Sequence, residues 1–163
     1  MLKIATTASI SRFADIEDSV RGSIIEIGEY CMVDSFVKIK PAGGSGNITI
    51  GNHCYINAGC VLYVGNGITI GHNVLIAANC TLAPTNHTIR NPNVPIRLQG
   101  FMPSRGGIII EDDVWIGAGS VILDGAILEQ GCVIGANSTV SGRVEAFSIS
   151  VGSPLRKIGS RKA

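Results

Sequence analysis

Aliphatic side chains return along this chain at a strict interval of six residues. Ile110, Ile116, Ile122, Leu128, Ile134 and Val140 keep the interval without a break, and Ile50, Ile56, Leu62 and then Ile70, Ile76, Leu82 keep it earlier. Ile27, Val33 and Ile39 form a first trace of it. A helix repeats every 3.6 residues and a simple strand every two, so neither produces this period. Short strands joined by corners and stacked coil upon coil do produce it, which predicts an all-β chain wound as a parallel β-helix, with three hexads to a coil.

Two further columns agree with the aliphatic one. Three residues past each aliphatic, the twelve hexads from Ile50 onward carry His53, Gly59, Gly65, Asn73, Asn79, Thr85, Asp113, Gly119, Gly125, Gly131, Asn137 and Arg143. Nine of these are Gly, Asn or Asp, the residues that enter the left-handed region at least cost, as a corner demands. One place further on the residues are small: Cys54, Cys60, Val74, Cys80, Val114, Ser120, Ala126, Cys132 and Ser138. These are expected to point inward.

The beat groups into coils starting at Ile27, Ile50, Ile70, Ile110 and Leu128, within one domain spanning residues 1–163. Surplus residues must leave the prism as loops. A few are surplus near Gly44 to Thr49, and a large excess lies in HTIRNPNVPIRLQGFMPSRGGII, predicted as a protruding loop over residues 88–109. A long loop inside so regular a repeat is usually functional. Residues 1–26 keep the beat poorly and are read as a cap or incomplete coil, because a solenoid needs its ends covered. Residues 146–163, broken at Gly152, Ser153 and Pro154, are read as a closing strand and basic tail.

Composition narrows the partners. Charged residues, at 15%, are fewer than in an ordinary globular chain, as a narrow aliphatic interior would produce. The net charge of +1 gives no reason to expect nucleic acid or an anionic membrane, and no stable membrane insertion is expected. Cys31, Cys54, Cys60, Cys80 and Cys132 all fall on the small inward column, where a thiol behaves as a small hydrophobe. No CxxC pair occurs, and the opening MLKIATTASISRF lacks a sustained apolar stretch, so the expected compartment is the cytoplasm.

The chain has three histidines. His53 and His72 sit in corner sequences, IGNHC and IGHNV, whereas His87 stands where the regular coil gives way to the long loop. From that point the residues carry a resemblance. NVLIAANCTLAPTNHTIRNPNVPIRLQG, then IEDDVWIGAGSVIL, IGANSTV and SVGSPLRKI, resemble the hexapeptide-repeat acetyltransferases, and most closely the maltose and galactoside acetyltransferase group with its relatives that O-acetylate bacterial surface polysaccharides. The resemblance implies a left-handed coil, against the usual right-handed rule for parallel crossovers.

It also implies an acetyl-CoA-dependent O-acetyltransferase acting on a sugar hydroxyl, and a homotrimer with active sites between subunits. His87 matches the general base at the start of the loop, Asn57 an acceptor-binding asparagine, and Tyr55 a residue lining the same cleft. Imidazole suits the role, because a sugar hydroxyl must lose its proton near neutral pH as it attacks a thioester. Ala118, just after the Gly of VWIG, matches the backbone donor for the resulting oxyanion. Trp115, Ala118, Ala136, Ser141, Arg143, Pro154, Arg156 and Lys157 match positions along the donor, with basic residues toward its phosphates. Relatives often carry Thr-Lys where this chain has Ser141-Gly142, which leaves Arg143 as the replacement. His87 on one subunit is expected to face the VWIG coil of the next.

Three other readings compete. The same base could serve an amine, giving an N-acetyltransferase of an amino sugar or an antibiotic. A γ-carbonic anhydrase type of enzyme needs three histidines converging on zinc, but His53, His72 and His87 fall at different hexad positions, so no metal is expected. A non-catalytic β-helix scaffold would bind partners without needing His87 or acetyl-CoA.

Overall fold

The computed structural model describes residues 1–162; Ala163, the last residue of the expected closing segment, lies outside them. Among the described residues, the one helical element is a 3-10 turn at Ile96–Leu98. The rest is a left-handed parallel β-helix with three faces. The first face stacks Leu2–Ile4, Ile25–Ile27, Ile48–Ile50, Ile68–Ile70, Ile108–Ile110, Ala126–Leu128 and Arg143–Val144. The second stacks Ser9–Ile10, Met32–Val33, Tyr55–Ile56, Leu75–Ile76, Trp115–Ile116, Val133–Ile134 and Ser148–Val151, and ends in an antiparallel strand, Arg156–Ser160. The third stacks Asp15–Ile16, Lys38–Lys40, Val61–Tyr63, Thr81–Ala83, Val121–Leu123 and Thr139–Val140. Residues 1–26 thus hold one three-strand coil, Leu2–Ile4, Ser9–Ile10 and Asp15–Ile16, and the start of the next face-one strand at Ile25.

Register explains the period. Ile48, Ile68, Ile108 and Ala126 lie over one another, as do Ile50, Ile70, Ile110 and Leu128. Each aliphatic packs on its counterparts in the coils above and below, so one column builds a continuous core. Every residue of the aliphatic beat from Ile27 to Val140 is buried, and so is every member of the small column. The thiols add a polar link: Cys31 Sγ donates to the Gly51 carbonyl, Cys54 to Gly71, Cys60 to Ala77 and Cys80 to Gly117. Burial pushes the Cys54 thiol up to about 11 and the Cys132 thiol up to about 12, so both stay protonated.

The corners take the predicted conformation. Of the twelve corner positions, ten have positive φ, the exceptions being Thr85, where the chain leaves for the long loop, and Arg143, which lies in a strand. Tyr30, Phe36 and Phe147 also sit at positive φ, an unusual place for bulky residues. Tyr30 stacks on His53 and Phe36 on Phe13, while the Lys162 ammonium lies over Phe147. At the first corner, between faces one and two, side chains of one coil cap the backbone of its neighbour. Asn52 Oδ1 accepts the Glu29 N–H, His72 Nδ1 accepts the Asn52 N–H, and Asp112 Oδ1 accepts the His72 N–H, at 2.7–2.9 Å.

Candidate active site

The long excursion runs from the end of the Thr81–Ala83 strand to the start of the Ile108–Ile110 strand, at the third corner, between faces three and one. Its neck is a short antiparallel pairing. His87 bridges to Phe101, the Met102 N–H donates to the Asn86 carbonyl at 2.8 Å, and the Thr88 N–H donates to the Gly100 carbonyl at 3.0 Å. The His87 ring packs on Phe101 with centroids 4.8 Å apart and is otherwise exposed. Beyond the neck, Gln99 acts as a hub: its amide holds the Asn91 N–H and the Asn91 and Val94 carbonyls. The imidazole is therefore held by its backbone and one aromatic neighbour, with its nitrogens open to a ligand.

The returning limb is pinned by a buried carboxylate that the repeat pattern did not single out. Asp124, 2% exposed, accepts the Arg105 N–H at 2.8 Å and the Gly107 N–H at 2.9 Å, while the Gly125 N–H donates to the Gly107 carbonyl. Gly125 has φ +82°, and a Cβ there would stand 2.9 Å from the Arg105 Cβ. Only glycine accommodates both the turn and the overlying limb. Above this point the third corner opens into a groove of about 520 Å³ lined by Thr139, Ser141, Gly142, Arg143, Ser153, Pro154 and Leu155, with a cis peptide before Pro154.

The second corner, between faces two and three, differs chemically from the first. Small residues occupy it coil after coil: Ala58, Ala78, Ala118 and Ala136. With no side chain above to cap them, the Ala118 and Ala136 N–H groups make no hydrogen bond among the described residues, and both residues are exposed. The alanine backbone can approach so closely because Gly117 lacks a Cβ; one would meet the Ala136 nitrogen at 2.5 Å. Asn57 opens the same corner lower down, its N–H donating to the Ile76 carbonyl and its side chain half-buried. Tyr55 lies just before it on face two, where its hydroxyl donates to Asp34 Oδ2 at 3.2 Å. Trp115 is on the same face, 49% exposed, directly over Leu75.

The residues named from the sequence therefore sort into two groups. His87, Ser141, Arg143 and Pro154 lie along the third corner, with Arg156 and Lys157 just beyond Pro154; Asn57, Ala118 and Ala136 lie along the second, with Tyr55 and Trp115 beside them. Face three separates the groups within one chain. Two of the basic residues are already paired: Arg143 with Glu129, and Lys157 with Glu145. Asp124, Arg105, Phe101 and Asp34 were not legible as site residues, because a corner Asp or a loop Arg carries no periodic signal. Among the described residues no cluster of three His, Cys, Asp or Glu is placed to hold a metal, and no helix is long and apolar enough to cross a membrane.

Comparison with known proteins gives matches along the coils. Residues 107–142 match the family described as bacterial transferase hexapeptide (six repeats), and residues 47–84 match the hexapeptide repeat of succinyl-transferase. The dTDP-4-amino-4,6-dideoxy-D-glucose acyltransferase of Escherichia coli is 30% identical over 137 residues, covering 84% of this chain and 61% of the relative. A chloramphenicol acetyltransferase of Agrobacterium fabrum is 31% identical over 123 residues, covering 76% of this chain and 56% of the relative. The match thus spans less than two thirds of these relatives' own length. Among solved structures, the N-acyltransferase AntD from Bacillus cereus, in complex with dTDP and 3-hydroxybutyryl-CoA, superposes with a TM-score of 0.82 at 26% identity, covering 99% of this chain and 83% of that one.

Proposed function

From its place in the hexapeptide-repeat transferase family, to which the chain belongs, we propose that it transfers an acetyl group from acetyl-coenzyme A to a sugar hydroxyl, in a precursor of a bacterial surface polysaccharide. The observation that carries the reading is the sorting of the site onto two corners. An exposed imidazole and an open groove lie on one, and a line of unpaired backbone donors lies on the other. Apposing the third corner of one subunit to the second corner of the next brings the two halves together, and a homotrimer does so three times.

In the assembled site His87 takes the proton of the attacking hydroxyl as its oxygen bonds to the thioester carbon. The Ala118 N–H, which makes no hydrogen bond among the described residues, stabilises the oxyanion. Collapse breaks the carbon–sulfur bond, and the proton passes from His87 to the departing thiolate. Asn57 and Tyr55 hold the acceptor. Ala136 and Trp115 border the donor's arm, and Ser141, Arg143, Pro154, Arg156 and Lys157 border its nucleotide end. Exposed apolar side chains support a subunit contact: Met32, Leu75 and Trp115 on face two, and Ile89, Leu98 and Phe101 on the loop.

A second reading, acylation of an amino sugar, is favoured by the Escherichia coli relative and by AntD, whose names state an amino-sugar substrate and an N-acyltransferase activity. Thiol release from acetyl-coenzyme A across hexoses, glycan fragments and free or nucleotide-linked amino sugars separates the two. The primary reading expects turnover with hydroxyl acceptors that collapses in His87→Ala. Turnover confined to amines installs the second. If no acceptor promotes thiol release and the cofactor gives no thermal shift, the scaffold reading replaces both.

A further inference from the structure

The basic residues around the third-corner groove differ in how much of their charge remains free. Arg143 pairs with Glu129 and Lys157 with Glu145, while the Arg156 guanidinium turns back onto its neighbour's backbone, Nη1 donating to the Leu155 carbonyl at 3.1 Å. Arg105 has no carboxylate within ion-pair distance among the described residues; its guanidinium makes one hydrogen bond, from Nη2 to the Ser141 carbonyl at 3.3 Å. That carbonyl belongs to the groove wall. Arg105 belongs to the loop that begins with His87, yet its backbone is fixed to the coil below the groove by the buried Asp124 carboxylate and by the room that Gly125 leaves. A planar fork of N–H donors, mostly unused and held at the edge of an open groove, is suited to gripping a phosphate.

We infer that Arg105 is a ligand for a phosphate at the nucleotide end of the donor, in place of Arg143. The inference rests on the coenzyme A reading above and adds to it a residue from the returning limb of the loop. One segment then carries the proton acceptor on its outgoing limb and a donor ligand on its returning limb. Donor occupancy and base placement are linked through the Asp124 anchor.

The test is calorimetric titration with coenzyme A, paired with steady-state kinetics on acetyl-coenzyme A and on acetyl-pantetheine, which lacks the nucleotide phosphates. Wild type, Arg105→Ala, Arg105→Lys and Arg143→Ala are compared, with circular dichroism confirming the coil in each. Arg105→Ala is expected to weaken coenzyme A binding by about tenfold or more, with partial recovery in Arg105→Lys. Its kcat/KM for acetyl-pantetheine should stay within about twofold of wild type, since that donor offers no phosphate to lose. An equal loss on both donors would mean that Arg105 only shapes the loop, and the inference would fall. It also falls if Arg143→Ala carries the loss and Arg105→Ala does not. Should the wild type itself fail to bind coenzyme A, the transferase reading fails and takes this inference with it, whereas the other two failures leave that reading standing.

Discussion

His87 touches little besides Phe101, so its removal leaves no hole in the core. His87→Ala should therefore change unfolding free energy by less than about 0.5 kcal/mol. Its kcat should fall by about a hundredfold or more, as loss of a general base does; urea melts and thiol-release rates check the two halves. Gly117 behaves in the opposite way. In Gly117→Ala the new methyl meets the Ala136 nitrogen at 2.5 Å, and adjacent coils must part to admit it. The expected cost is about 1–3 kcal/mol, read from the urea midpoint. The thiols make a third test. Cys54 and Cys132, buried and with their thiols pushed up to about 11 and about 12, should resist a thiol reagent in the native chain past pH 9, the ordinary value for a free thiol, and react on unfolding. Labelling of Cys54 or Cys132 in the native chain at pH 9 would overturn their packing role. All five cysteines were legible in the sequence because each occupies a fixed place in its hexad. Asp124 was not, since its burial is made by a limb that returns from outside the repeat.

Among the elements, the antiparallel closing strand and the returning limb of the loop have the clearest weak points. The strand Arg156–Ser160 lies on Ser148–Val151, and Lys157 pairs with Glu145 beside it. The Lys157 ammonium holds the Glu145 carboxyl below its ordinary value of 4.5. On acidification the unfolded form takes up a proton first, so the contribution is whole above the ordinary value and is lost as pH falls through the lower folded one. Amide exchange in Arg156–Ser160 should then accelerate, relative to the aliphatic strands, as the pH falls below the carboxyl's ordinary value; uniform exchange across the molecule would show that the pair does not hold the strand. For the loop, Asp124→Ala leaves the Arg105 and Gly107 N–H groups without their acceptor, at about 1–3 kcal/mol if they stay buried, or frees the limb. Strands were legible because a hexad is a local signal that each coil repeats. The loop's internal pairing, His87 to Phe101 and Gln99 to Asn91, was not legible, because side-chain hubs obey no period.

As a whole molecule, the chain leaves Trp115 and Leu75 exposed on face two and Ile89, Leu98 and Phe101 exposed on the loop, large apolar side chains that a contact between subunits would cover. Trp115→Glu should convert a trimer to monomers in light scattering and abolish transfer while leaving the coil's dichroism unchanged. A wild type that scatters as a monomer at all concentrations would remove the basis for a shared site. The architecture was legible almost throughout, since three columns of one repeat all pointed to it. The division of the site between two corners was not, because which corner a residue occupies depends on surplus residues that leave the prism. The alanine corner has one more consequence. Its unpaired N–H groups recur once per coil, about 4.8 Å apart, so the wall is a ruler with fixed graduations. Adding one whole coil of three hexads between Ala78 and Ala118 would slide the Ala118 N–H, the proposed oxyanion donor, one graduation away from Asn57 without altering either. Such a lengthened chain is expected to fold, to hold both substrates, and to transfer nothing, because the distance between them is counted in coils.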